Sequence, residues 1–173
     1  MDSSQGWGGT DGMAASIVDG VFTANVAAAG NPWDVSLKYN LTIIQGTTYT
    51  VSFDARSNDA RDIIVGLGLD ADPWTNVTET VSLTTEWVTY TFEMAATDFG
   101  GENNRIFFDM GAATGHVQID NVSVEAVGAG NNGGGEETSE LVTNGSMDSS
   151  LGWGGTDGMA ASIVDGVFTA DVA

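Results

Sequence analysis

Thr48–Ala55 reads TYTVSFDA and Trp87–Met94 reads WVTYTFEM. In the first stretch Tyr49, Val51, Phe53 and Ala55 fall on one side of an extended chain. In the second, Val88, Tyr90, Phe92 and Met94 do the same. Successive side chains of a strand point to opposite faces, so this period of two predicts strands with one buried and one wet side. Trp87 leads its strand and is expected in the core. Working outward, Val35, Leu37, Tyr39 and Leu41 alternate, and Val81–Leu83, Arg105–Met110 and His116–Val127 are β-like as well. Gly, Asn and Asp clusters separate these runs, and no window carries a capped apolar repeat of 3.6 residues. The expectation is an all-β chain folded as an antiparallel β-sandwich. One parity break stands out. Val117 and Ile119 need one register, Val122 and Val124 the other, so a β-bulge is expected at Asp120–Asn121, where it would re-aim a carboxylate.

Composition narrows the function. The 173 residues are 42% hydrophobic, enough for one ordinary domain. Asp plus Glu number 24 against 4 Lys plus Arg, a net charge of −20. Nucleic acid and anionic membrane are poor partners and neither is expected, because gripping phosphate takes a basic surface. No apolar run reaches the roughly 20 residues that span a bilayer, so membrane insertion is not expected. The acidic surface suits a secreted, extracellular or cell-surface protein, and some carboxylates could surround a hard cation such as calcium. Cysteine is absent, which removes disulfides, thiolate metal sites and a cysteine nucleophile. The one histidine, His116, opens a strand and reads as structural or surface. No phosphate-binding GxxxxGK[ST] loop occurs. With so many acids a carboxylate pair of glycosidase type carries no information. An enzyme is not expected.

The chain also repeats itself. Residues 1–27 and 147–173 differ only at Gln5 against Leu151 and Asn25 against Asp171. Tandem modules in the parent protein are expected. ELVTNGS, Glu140–Ser146, precedes the second copy, while nothing precedes the first. Gly128–Ser139, GAGNNGGGEETS, has linker composition. The expected organisation is therefore a sandwich module over 1–127 that lacks its first strand, a linker over 128–139, and the opening of a second repeat over 140–173. That opening would complete the sheet of the first module or of a neighbouring chain. No N-terminal stretch has the layout of a signal peptide, so a mature fragment is expected.

The set NGSMDSS with GWG, VDGVFTA, NPWDVSLKYNLTIIQGTTYTVSFDARS, ARDIIVGLGLDADPW, LTTEWVTYTF and VQIDNVSVEAV resembles a known family. In order and spacing it is similar to the carbohydrate-binding modules of families 4, 9 and 22, the CenC-like type. The closest likeness is to family 4 modules attached to laminarinases. The resemblance implies a jelly-roll sandwich that binds a glucan chain in a cleft on one sheet. A sugar ring offers a weakly polar face and a rim of hydroxyls, so it calls for aromatic platforms and planar hydrogen-bonding groups. Trp33 in GNPWD and Trp74 in DADPW sit in acidic turns suited to a rim. Asp34 lies beside the first. Arg61 precedes a strand where the family often carries a cation, and a guanidinium makes paired bonds to hydroxyls. Lys38 lies one position off the apolar face of its strand. Ser36 stands where the family often has glutamine. The resemblance further implies a structural calcium ion held by Asp148 or its copy Asp2, by Asp120, and by the Gly145 carbonyl.

Two functions follow. The first is a non-catalytic module binding a β-glucan, β-1,3 or mixed-linkage. The second is a self-assembling surface subunit, joined by strand donation from residues 140–173. An open sheet edge accepts a strand from another chain, and a head-to-tail contact of that kind propagates.

Overall fold

The computed structural model describes residues 7–9, 14–127, 140–142, 160–164 and 167–171. Twelve strands form among them: β1 Trp7–Gly9, β2 Ala14–Val18, β3 Val21–Val26, β4 Ser36–Ile43, β5 Thr48–Ser57 and β6 Arg61–Leu69, then β7 Asn76–Leu83, β8 Val88–Ala95, β9 Gly101–Asp109, β10 Gly115–Ala126, β11 Ala160–Val164 and β12 Val167–Asp171. They build two five-stranded sheets, β1-β4-β9-β6-β7 and β2-β3-β10-β5-β8, and a separate β11–β12 hairpin. Every ladder is antiparallel. The expected antiparallel β-sandwich is the fold observed.

Alternation decides what faces inward. Tyr49, Val51, Phe53 and Ala55 of β5 are all buried, as are Ile63, Val65 and Leu67 of β6 and Ile106 and Phe108 of β9. Phe53 meets Phe108 edge-on across the sandwich, ring centroids 5.1 Å apart, a favoured aromatic geometry. The Tyr49 hydroxyl, fully buried, accepts the Ile44 N–H at 2.9 Å.

The expected bulge is present. On β10 the register passes from Asp120 to Ser123 while the partner β5 moves only from Asp54 to Ser52. Asn121 supplies the extra residue in a left-handed conformation, φ 50°, which Asn tolerates better than most residues. The slip returns Val122 and Val124 to the core.

The bulge also divides β10 between two neighbours. β3 pairs only with Gly115–Ile119. Beyond the bulge Glu140 bridges Glu125, Leu141 N–H donates to the Val124 carbonyl at 2.9 Å, and Val142 is buried. The Glu140 carboxylate accepts the N–H groups of Val124 at 2.9 Å and Val142 at 2.8 Å, and the Ser123 hydroxyl. The start of the ELVTNGS segment thus lies against its own body. Residues 128–139 and 143–146 are outside the described residues. Farther on, β11–β12 repeats the backbone register of β2–β3: Ile163 pairs with Phe168 as Ile17 pairs with Phe22.

Trp87 corrects the sequence reading. It precedes β8 and keeps 39% of its surface exposed. Its parity is that of Thr89, Thr91 and Glu93, the wet side of the strand, so leading an apolar strand does not place it in the core.

Candidate functional site

The outer face of the first sheet breaks the rule that solvent-facing positions are polar. Phe107 shares parity with Arg105 and Asp109, not with the inward Ile106 and Phe108, yet only 3% of it is exposed. Glycines make this possible. Cross-strand register sets Lys38, Phe107, Gly66 and Thr78 in one row and Asn40, Arg105, Gly68 and Asn76 in the next. A Cβ on Gly66 would lie 2.5 Å from Phe107 Cζ, so its absence lets the ring rest on β6. The result is an apolar floor within a polar face.

Arg105 stands on that floor. Its guanidinium carbon is 4.8 Å from the Phe107 ring centroid and 5.1 Å from that of Trp74, within cation–π range of both. Asp70, just past β6, holds it in place at 3.2 Å and takes Lys38 Nζ at 2.7 Å. One carboxylate so ties together side chains from β4 and β9. Among the described residues the buried Arg105 Nε has no hydrogen-bond partner, and a buried donor left unpaired costs free energy. Asp109, farther along β9, has its pKa raised by burial, against which the Ser36 hydrogen bond and the Arg105 charge act.

Two turns present the expected tryptophans. Trp74 is 49% exposed and has φ 58°, unusual for so large a residue. Its N–H donates to Ala71 O at 2.7 Å, and its carbonyl accepts Asn76 Nδ2 at 2.7 Å. Trp33 is 62% exposed in a single 3-10 turn, Pro32–Asp34. Asn31 N–H donates to Asp34 Oδ2 at 2.7 Å, closing that turn. Gly30 must lack a Cβ, which would sit 2.4 Å from the same oxygen. Hydrogen bonds from Met110 and Gly111 fix the turn to the end of β9.

The sequence-predicted residues therefore divide. Trp74 and Lys38 come together around Asp70 and Arg105. Trp33 and Asp34 belong to the other end of β9, where Met110 lies five residues, about 17 Å of extended chain, from Arg105, and the Asp34 carboxylate is engaged in shaping its turn. Arg61 goes elsewhere. It has the inward parity of Ile63 and Val65, is 8% exposed, and donates to the carbonyls of Met110 and of Thr114, the latter at 3.3 Å. Burial lowers its pKa. The guanidinium braces the β9–β10 turn and does not face the cleft, which corrects its assignment as a sugar contact. Asp70, Arg105 and Phe107 were not singled out from sequence.

Of the proposed calcium ligands only Asp120 is described; Asp2, Gly145 and Asp148 lie outside the described residues. Asp120 faces Asp54 across the β5–β10 pair, and Asp54 accepts hydrogen bonds from Thr89 and Asn121. Among the described residues no group of three or more His, Asp or Glu side chains gathers around one point. These donors alone fall short of the six to eight oxygens calcium takes.

Comparison with known proteins now bears on the face. The family model for the carbohydrate binding domain of families 4 and 9 matches residues 2–115. A solved structure described as "CBM4 structure and function" is 30% identical, covers 66% of this chain and 76% of its own, and superposes with a TM-score of 0.62. The N-terminal cellulose-binding domain of β-1,4-glucanase C from Cellulomonas fimi is 26% identical over 72% of this chain and 91% of its own, TM-score 0.54. The second N-terminal domain of that enzyme is 24% identical over 68% and 83%, TM-score 0.57, and shows the shared fold. Among curated proteins nothing matches. With an antiparallel sandwich, a polar face floored by an aromatic ring, and a family match over most of the described body, this chain belongs to the carbohydrate binding domain family.

Proposed function

We propose that the chain is a non-catalytic module that holds a β-glucan, β-1,3 or mixed-linkage, on the outer face of its first sheet. The observation that carries this reading is Arg105, within cation–π reach of both Trp74 and Phe107, clamped by Asp70, with a buried Nε unpaired among the described residues. Trp74 supplies an aromatic platform, and Lys38 and Arg105 donate to ring hydroxyls. Trp33 meets the same polymer farther along. The setting is a secreted protein, with the module attached to a glucan hydrolase of laminarinase type. The Cellulomonas fimi relatives are named for cellulose, so a β-1,4 chain belongs in the test panel. Native affinity electrophoresis against laminarin, mixed-linkage β-glucan, hydroxyethylcellulose and xylan tests the reading. Retardation by laminarin or mixed-linkage glucan, abolished in Trp74→Ala, supports it; free migration in every polymer refutes it. A structural calcium ion at Asp120, Asp2 or Asp148 and the Gly145 carbonyl belongs to the same proposal. A melting temperature indifferent to both calcium and chelator removes it.

A second reading rests on the docking of Glu140–Val142 against β10. The same three residues of a neighbouring molecule fit the same seat, which makes strand exchange the route to a self-assembling surface subunit. Covalent linkage through 128–139 favours closure within one chain at low concentration, since tethering raises the effective concentration to about millimolar. Light scattering over a dilution series decides, and a concentration-independent monomer rejects assembly.

A further inference from the structure

The outer face of the second sheet holds a depression of about 390 Å³, lined by Thr23, Arg56, Asn58, Thr85, His116 and Gln118. Trp87 stands beside it, 39% exposed, with the Arg56 guanidinium carbon 4.9 Å from its ring centroid. Arg56 Nε donates to Gln118 Oε1 at 2.7 Å, and Gln118 Nε2 donates to Thr23 Oγ1 at 3.1 Å. A hydrogen-bonded ladder across β5, β10 and β3 thus fixes two planar groups before any ligand arrives. Asn58 is fixed as well, its Oδ1 accepting His116 N–H at 2.6 Å.

Some groups remain uncommitted. Among the described residues neither terminal nitrogen of Arg56 nor the His116 imidazole has a hydrogen-bond partner. The charge pattern points the same way. Lys38 and Arg105 are paired with Asp70, and Arg61 is buried on carbonyls. Of the four cations only Arg56, half-buried, has its terminal nitrogens on neither a carboxylate nor a carbonyl among the described residues, in a chain with 24 acids. A cation left unneutralised there, beside an exposed indole, matches a ligand with one weakly polar face and a rim of hydroxyls. The net charge of −20 argues against a polyanion.

We propose that Trp87, Arg56 and His116 form a second saccharide site, for a neutral pyranose unit, on the sheet opposite the first. Trp87 stacks on the sugar ring, and Arg56 and His116 bond its hydroxyls. One molecule then holds two glycan segments on opposite faces and bridges separate chains. The site stands on the chemistry of this depression and is independent of the first face.

The test follows the indole Nε1–H resonances of the tryptophans and the ring resonances of His116 during titration with laminarihexaose, cellohexaose and xylohexaose. Trp87→Phe assigns its own signal. A saturable shift at Trp87 and His116 that persists in the Trp33→Ala/Trp74→Ala variant, and weakens at least five-fold in Arg56→Gln, supports the site. Saturation at Trp74 with Trp87 and His116 unmoved overturns it and leaves the first face intact. Movement at Trp87 that disappears when Trp33 and Trp74 are removed also overturns it, as an indirect effect. No movement at either face overturns both. Wild-type protein is expected to cross-link a high-mass soluble glucan that binds in electrophoresis, and Trp87→Ala to bind without cross-linking; equal cross-linking by both refutes the bridging role.

Discussion

Gly66→Ala joins the fold to the first face in a single methyl group. The new Cβ would lie 2.5 Å from Phe107 Cζ, 2.8 Å from Thr78 Cγ2 and 2.8 Å from the Val77 carbonyl oxygen. Carbon atoms pack at about 3.5–4.0 Å. Thr78 and Phe107 are side-chain ends that can shift, but Val77 O belongs to the β7 backbone and is held in the ladder. Phe107 has little room, since Arg105 lies against it. Overpacking of this kind costs about 1–3 kcal/mol. The lost backbone freedom of the unfolded chain offsets about 0.4–1 kcal/mol, so the net effect is destabilising. At about 4 °C per kcal/mol for a domain of this size, the melting temperature falls by several degrees. Phe107→Leu in the same chain should restore part of the loss, because it frees space above β6 but not at Val77. Thermal unfolding of the two single variants and the double variant gives the coupling, expected above about 0.5 kcal/mol. Affinity for the retarding glucan should fall in Gly66→Ala as Arg105 is displaced. Melting at the wild-type temperature, or strictly additive single effects, would refute the account of Phe107 lying on Gly66.

Trp74→Ala should weaken glucan binding by about 1–3 kcal/mol, and Trp33→Ala by less, because Arg105 and Asp70 lie at the Trp74 end; isothermal titration of both variants checks the order. Arg61→Met should cost about 1–3 kcal/mol of stability by stripping the Met110 and Thr114 carbonyls of a buried donor, with unchanged glucan affinity by the same titration. Asp109 carries a pKa raised by burial, so its folded form holds a proton that the unfolded chain releases at about pH 3.9. Its contribution is full below that value and is lost as pH rises through the raised folded value, so Asp109→Asn should remove this fall in stability above the ordinary carboxylate range in pH-resolved melts. Val142→Ala should lower stability by about 2 kcal/mol, from lost burial and the cavity left behind; unfolding unaffected by it would show that the Glu140–Val142 segment is not seated in the core.

The fold was legible because burial on one side of a sheet writes itself into alternation. Phe53, Val51 and Tyr49 announced β5, and the change of parity after Ile119 located the bulge at Asn121. The site was legible only in part. Trp74 and Lys38 could be selected from residue type and turn context. Asp70 and Arg105 could not be joined to them, because the contact depends on the register of β4, β9 and β6, which no local pattern states. A signal did exist in NNRIFFDM: Phe107 is apolar at a polar parity, and Gly66 and Gly68 alternate with Val65 and Leu67 on the neighbouring strand. Arg61 and Trp87 were misplaced for one reason. Each was weighed by residue type and strand position, while its parity already placed Arg61 inward and Trp87 outward.

The seat beside β10 sets the repeat and the folded unit out of phase. The sheet formed by β2, β3, β10, β5 and β8 is finished by Glu140–Val142, residues that lie beyond 128–139 and just ahead of the second copy of the duplicated stretch. A segment that opens one repeat by sequence thereby closes the preceding body in space. Were further copies to follow at the spacing that separates residues 1–27 from 147–173, loss or gain of a whole repeat would leave each remaining body followed by the residues that cap it. In such an array copy number could change without leaving an internal sheet uncapped.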